Sequence, residues 1–326
     1  MSTQETYLKA IADAIRTKLG TTGTIKASEF AAKIATIPSG IAKPKWVQTT
    51  LSRSQRSNSV CYGNGKFVAV PYATSYAVYS TDGINWTQST LPESQSWNSV
   101  CYGNGKFVAV AGGISYAAYS TNGINWTRST LPGSRIWSSV CYGNGKFVAM
   151  CSDVSLPAYS TDGITWSSAR MPVNAGWSSV CYGNGKFVAV ANGSYAAYST
   201  DGVNWTQCTL PKSQYWDSVC YGNGKFVAVG NTSSYAAYST DGVNWTQCTL
   251  PRSQSWSSVG YGNGKFVAVA SDNSYAAYST DGVNWTQCRL YGAINWYSVC
   301  YGNGKFVAVA SGGYANYLKD SFDEWE

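Results

Sequence analysis

From Trp46 onward the chain alternates short, continuously apolar runs with segments in which apolar and polar residues take turns. Phe67-Val68-Ala69-Val70 and its equivalents form the apolar run, which predicts an inner strand covered on both faces. Trp86-Thr87-Gln88-Ser89-Thr90 and its equivalents form the alternating run, which predicts an outer strand. Both belong to a repeat. The octapeptide Tyr-Gly-Asn-Gly-Lys-Phe-Val-Ala begins at Tyr62, Tyr102, Tyr142, Tyr182, Tyr221, Tyr261 and Tyr301, at spacings of 40, 40, 40, 39, 40 and 40 residues. Between copies lies a second recurring block, Tyr-Ser-Thr-Asp-Gly-Ile/Val-Asn-Trp-Thr, as in Tyr79 to Thr87 and Tyr278 to Thr286.

Each period reads as two hairpins. Asn104-Gly105 supplies the positive φ angles of a tight turn between strands Ser99 to Tyr102 and Lys106 to Val110. Asn122-Gly123 does the same between Tyr116 to Ser120 and Ile124 to Ser129. Four antiparallel strands in about 40 residues cannot cover both faces of their own sheet, but repeated about an axis they can. The expectation is an all-β, seven-bladed β-propeller of four-stranded antiparallel blades over residues 46–326. Trp46-Val47-Gln48-Thr49-Thr50-Leu51 matches Trp86 to Leu91, so an N-terminal strand over 46–52 is expected to complete the last blade, with the tail Phe322 to Glu326 as its competitor.

Residues 1–40 follow a different rule. Leu8, Ile11, Ile15 and Leu19 fall at helical spacing before Gly20, and Phe30, Ile34 and Ile37 before Pro38, which predicts a small helical hairpin that attaches or oligomerises, with 41–45 as a linker.

Composition narrows the chemistry. Charged residues are only 12% and aromatics 15% of the 326 residues, which excludes disorder and coiled coil. There is no histidine, so Ser-His and Cys-His nucleophile systems and imidazole metal sites are excluded. The net charge of +7 is modest, and the lysines at the repeated turn are spread round the structure, so no nucleic-acid footprint is expected. No apolar run is long enough to cross a bilayer and no signal-peptide stretch opens the chain, so it is expected to be made in a bacterial cytoplasm and not to insert into a membrane. No cofactor and no metal are expected. Cys61, Cys101, Cys141, Cys181, Cys220 and Cys300 share one inner-strand position with Gly260. Cys208, Cys248 and Cys288 share an outer one with Ser89, Ser129 and Ala169, which marks slots for small residues and free, buried thiols. Asp82, Asp162, Asp201, Asp241 and Asp281 occupy a turn position held by Asn122 in the second repeat, so their expected role is to cap backbone N–H groups.

Two resemblances follow from these blocks. Ser-Thr-Asp-Gly-x-Asn-Trp resembles the Asp-box of sialidase-type and BNR-repeat propellers, although Asp and Gly are adjacent here instead of one residue apart. Tyr7 to Arg16 followed by Ala27 to Ile34 is similar to N-terminal segments of tail-fibre proteins from phages and prophages of Gram-positive bacteria. These resemblances imply a lectin-like, receptor-binding head on a virion or phage-like tail, joined to other tail proteins through residues 1–40 and open to homo-oligomerisation. Sialidase chemistry would need an arginine triad and a Tyr-Glu pair, whereas the propeller has only Glu93 before its tail, and isolated acids such as Asp153, Asp217 and Asp272 lie in segments read as irregular. The expectation is therefore a protein that is not an enzyme. With the four strands of a blade lettered A to D from axis to rim, it would bind a host receptor, a surface glycan in the first instance, through the face carrying the variable D-A and B-C loops. The candidate ligand-binding residues are Trp97, Trp137, Trp177, Trp216, Trp256 and Trp296 as platforms, with Gln95, Arg135, Gln214 and Gln254 beside them. Packing of these indoles between blades is the competing reading. A sialidase-like glycan-processing enzyme and a protein-binding assembly scaffold are the alternatives.

Overall fold

The computed structural model describes residues 45–292 and 294–319. The helical hairpin expected over residues 1–40 and the competing tail strand at Phe322 to Glu326 lie outside the described residues. Everything described is β-structure apart from turns, loops and one short 3₁₀ segment at Ser311–Gly313.

The first full repeat shows the plan. Strands β2 (Ser57–Gly63), β3 (Lys66–Pro71), β4 (Thr74–Ser80) and β5 (Thr87–Gln95) pair antiparallel in chain order from the axis outward. Asn64 and Gly65 turn β2 into β3 at φ of 45° and 71°, values that an Asn-Gly pair tolerates. In β3, Phe67 to Val70 are wholly buried, as continuous apolarity requires.

Counted as hydrogen-bonded sheets, the propeller has six blades, which corrects the expectation of seven: five sheets have four strands and one has six. The second and third repeats are fused. Strand β7 (Lys106–Ser120) and strand β8 (Thr127–Gly143) follow β6 (Trp97–Gly103) without the usual breaks. The cause is local. The connection Gly133 to Ile136 pairs with the B-C connection, Ile136 with Gly112 and Arg135 with Ile114, so the sheet continues through two register shifts from one repeat into the next. The fused sheet then ends in β9 (Lys146–Cys151), β10 (Ala158–Ser160) and β11 (Ser167–Ser168), an outer strand only two residues long.

The inner strands close a ring. Each receives the same backbone-to-serine hydrogen bond, the N–H of Val100 donating to Ser59 Oγ, Val140 to Ser99, Val180 to Ser139, Val219 to Ser179, Val259 to Ser218 and Val299 to Ser258, at 3.1–3.2 Å. Val60 donates to Ser298 Oγ at 3.1 Å and completes the circle. A Cβ on Gly63 would lie 2.0 Å from the Tyr102 ring, so only glycine lets successive inner strands come this close. At the seam β1 (Val47–Thr50) pairs antiparallel with β26 (Tyr314–Lys319), Val47 opposite Tyr317 and Thr50 opposite Tyr314.

Candidate functional site

The connections sort onto two sides. On one side, the A-B turn asparagine of a repeat reaches the C-D turn of the next, as in Asn64 Nδ2 to the Thr121 carbonyl at 3.2 Å and Asn303 Nδ2 to that of Thr81 at 3.2 Å. The C-D turns there are self-contained. Asp82 Oδ1 accepts from Ser80 Oγ and from the Ile84 and Asn85 amides, each at 2.8 Å, while Oδ2 accepts from Asn85 Nδ2. Burial pushes the Asp82 carboxyl up, but these hydrogen bonds outweigh it and hold it well below the ordinary carboxylate range. Asn122 makes the three Oδ1 bonds and lacks only the Nδ2 contact, so the turn needs an acceptor more than a charge.

On the other side, a B-C loop amide of every repeat donates to the residue just before the inner strand, for example Tyr72 to the Arg56 carbonyl at 2.8 Å and Asn231 to that of Tyr215 at 2.8 Å. This variable face carries exposed Tyr72, Ile136, Tyr195, Tyr215 and Tyr291. Outside them stand cation–aromatic stacks: Arg128 over Tyr116 at 3.4 Å, Lys212 over Tyr235 at 3.3 Å, and Arg252 and Arg289 over Tyr275 at 4.6 and 4.7 Å.

The sequence-selected residues are placed as follows. The indoles of Trp97, Trp137, Trp177, Trp216, Trp256 and Trp296 lie inside the blades at 0–1% exposure, so they present no face to a ligand. Several bond back to the loop that precedes them, as Trp216 Nε1 does to the Lys212 carbonyl at 3.1 Å. Gln95 bonds Glu93, Gln214 bonds the Tyr235 carbonyl at 3.2 Å, and Gln254 accepts from Asn273, all within the loops. Arg135 donates to the Leu156 carbonyl at 2.9 Å and lies 5.4 Å from the Trp137 ring. None of the ten lines the funnel described next. The ten cysteines are all free, and among the described residues no three potential metal ligands cluster.

What the face does assemble is a funnel of about 400 Å³ at the mouth of the axis. The residue that follows the tryptophan position in each inner strand points into it: Asn58, Asn98, Ser138, Ser178, Asp217, Ser257 and Tyr297, with Arg56 on the rim. Asp217 thus belongs to strand β16 (Trp216–Gly222), not to an irregular segment. Five of these side chains obey one rule, donating to the carbonyl of the tryptophan one repeat on. Asn58 bonds Trp97 at 2.9 Å, Asn98 bonds Trp137 at 2.8 Å, Ser138 bonds Trp177 at 2.7 Å, Ser178 bonds Trp216, and Ser257 bonds Trp296 at 2.6 Å.

Asp217 breaks the rule. An ionised carboxylate has no proton to donate to the Trp256 carbonyl, and burial pushes its carboxyl up to about 6. Round the mouth, Arg56 lies 4.0 Å from the Tyr297 ring and 5.4 Å from that of Tyr72, its Nε donating to Asn58 Oδ1 at 2.7 Å. A second hollow, of about 590 Å³, opens on the rim where β11 is cut short; Arg170 is its one charged residue, beside Leu156, Met171, Pro172 and Trp205. The sequence signal for the funnel was present: one position varies from repeat to repeat between a nearly constant Trp and an invariant Ser.

No family model matches this chain and no curated protein matches it. Solved structures do. A virginiamycin B lyase from Staphylococcus aureus superposes with a TM-score of 0.78 at 11% identity, covering 84% of this chain and 99% of its own. A streptogramin B lyase gives 0.77 at 10%, covering 84% and 98%. YCF48 bound to D1 peptide gives 0.67 at 16%, covering 85% and 97%. At these identities the likeness shows the fold, a β-propeller. It corrects the reading of a phage tail fibre with Asp-box repeats and a glycan-binding head, because the structures named above are lyases and YCF48. It also corrects the expectation that the protein is not an enzyme, since lyases are built on this fold.

Proposed function

We propose that the protein binds a peptide segment of a partner protein in the axial funnel of its variable face and serves as an assembly scaffold. One observation carries this reading: a funnel of about 400 Å³ to which every repeat contributes a side chain at one equivalent position, with the chemistry changed from repeat to repeat. A volume in this range suits a short peptide stretch. The surrounding tyrosines and arginines match the residue types enriched at protein interfaces, and a protein of this fold, YCF48, has been solved with a peptide bound.

The test is selection of a displayed linear peptide library on the immobilised chain. Selected peptides should bind the wild type and be lost on Ser178→Trp and Ser138→Trp, which fill the mouth, provided both variants melt like the wild type. Selection of nothing, or peptides indifferent to both plugs, removes the reading.

A second reading, an enzyme using Asp217 as proton donor or acceptor, is favoured by its carboxyl titrating near 6 inside a cleft. It requires a turnover whose pH profile has a limb near that value and which Asp217→Asn abolishes.

A further inference from the structure

The funnel is chemically lopsided, and the imbalance specifies what fits it. Five ring positions each spend a donor on a tryptophan carbonyl of the next repeat, so those carbonyls are satisfied within the fold. At the fifth repeat the equivalent ring side chain is Asp217, an acceptor at the position where the other five supply a donor to the tryptophan carbonyl of the next repeat. Asp217 has no hydrogen-bond or ion-pair partner among the described residues. A half-buried, unpaired carboxylate of this kind is costly unless something positively charged and rich in N–H groups covers it. Ammonium and guanidinium groups meet both demands.

The positive counterpart stands across the mouth. Arg56 belongs to the first repeat and Asp217 to the fifth, which in the ring of inner strands is as far apart as two positions can be. Stacking on Tyr297 and the Nε bond to Asn58 hold the Arg56 guanidinium in place and leave its terminal nitrogens for an incoming acceptor. The polar ring between the two charges consists of Asn and Ser side chains already engaged with the backbone, together with Tyr297 under Arg56, and so carries no competing charge.

We infer that the funnel takes a dipolar peptide segment, with a lysine or arginine side chain seated on Asp217 and a carboxylate of the same segment held by Arg56. The inference rests on the peptide-binding reading and adds its selectivity. A charge contact at half-buried Asp217 is worth more than one at the open surface, and truncating one partner raises the off-rate.

The experiment repeats the library selection on three full-length proteins: wild type, Asp217→Asn and Arg56→Gln. Wild-type selectants should pair one basic with one acidic residue. A synthetic copy of the strongest should bind Asp217→Asn at least tenfold more weakly, and selection on that variant should lose the basic residue while keeping the acidic one. Arg56→Gln should do the reverse. The wild-type affinity should fall as salt rises. Plug-sensitive selectants without a basic residue, or binding to Asp217→Asn within twofold of wild type, overturn the charge assignment and leave the peptide-binding reading standing. Failure of the wild type to select any plug-sensitive peptide overturns both.

Discussion

Replacing Asp217 by Asn should stabilise the unliganded protein, and by an amount that depends on pH in a stated direction. The Asp217 carboxyl titrates near 6 in the folded chain against 3.8 for an unperturbed aspartate. A folded-state value raised in this way means that the protonated side chain favours folding below 3.8, and that this advantage disappears as pH rises through 6. Above that, the folded state carries a desolvated charge costing at most about 3 kcal/mol, from roughly two pKa units at ~1.36 kcal/mol each. Asparagine carries no charge, and its amide can donate to the Trp256 carbonyl as Asn58 and Asn98 donate to Trp97 and Trp137, worth a further ~1 kcal/mol. Urea unfolding of both proteins at half-unit steps from pH 4 to pH 8, followed by tryptophan fluorescence, gives the difference directly. It should be about 1 kcal/mol or less at pH 4, climb between pH 4 and 6, and level off at up to roughly 4 kcal/mol by pH 8. A difference that is flat across this range, or an Asn variant less stable at pH 8, would refute the assignment of Asp217 as an unpaired, desolvated carboxylate.

Three other outcomes follow from the packing. Trp216→Ala and Trp256→Ala should each cost about 3–5 kcal/mol by thermal or urea unfolding, since each deletes a wholly buried indole; wild-type melting would show that the indoles are not core. Asp241→Ala should lower the melting temperature at pH 7 while Asp241→Asn, which keeps the acceptor as Asn122 does, should lower it less. Because those turn carboxyls are held below their ordinary range, the stability they contribute is present above about pH 4 and is lost as acid protonates them, and Asp241→Asn should weaken that acid sensitivity. Burial raises the thiols, Cys208 and Cys248 to about 11 and Cys288 to about 12, so these three should react with a disulfide reagent at pH 8 only on unfolding; fast native reaction would contradict the packing.

The hairpins were legible because Asn-Gly turns and apolar runs are local signals, and so was the side on which the variable loops lie. The number of sheets was not. Fusion of the second and third repeats depends on Gly133 to Ile136 lying against Gly112 and Ile114, a tertiary pairing that no turn residue announces. The tryptophans misled for a related reason: a Trp that opens a strand beside a polar loop has the same sequence context whether its ring points outward or into the blade. Along the sequence Asp217 is one isolated acid among several, and its meaning lies in comparison with Asn58, Asn98, Ser138, Ser178 and Ser257. Only the shared bond to a tryptophan carbonyl reveals what the carboxylate cannot do.

The pairing of β1 with β26 also sets an order of events during synthesis. Val47 leaves the ribosome among the first propeller residues, but its partner Tyr317 follows only after every intervening repeat has been made, a wait of tens of seconds at ~5–20 residues per second. Until then the nascent chain displays a free strand edge at its start and an unfilled gap at its growing end, each complementary to the other on a neighbouring polysome-bound copy. Slow decoding late in the message would therefore favour exchange of β1 between nascent chains, and rapid completion would favour the self-closed monomer.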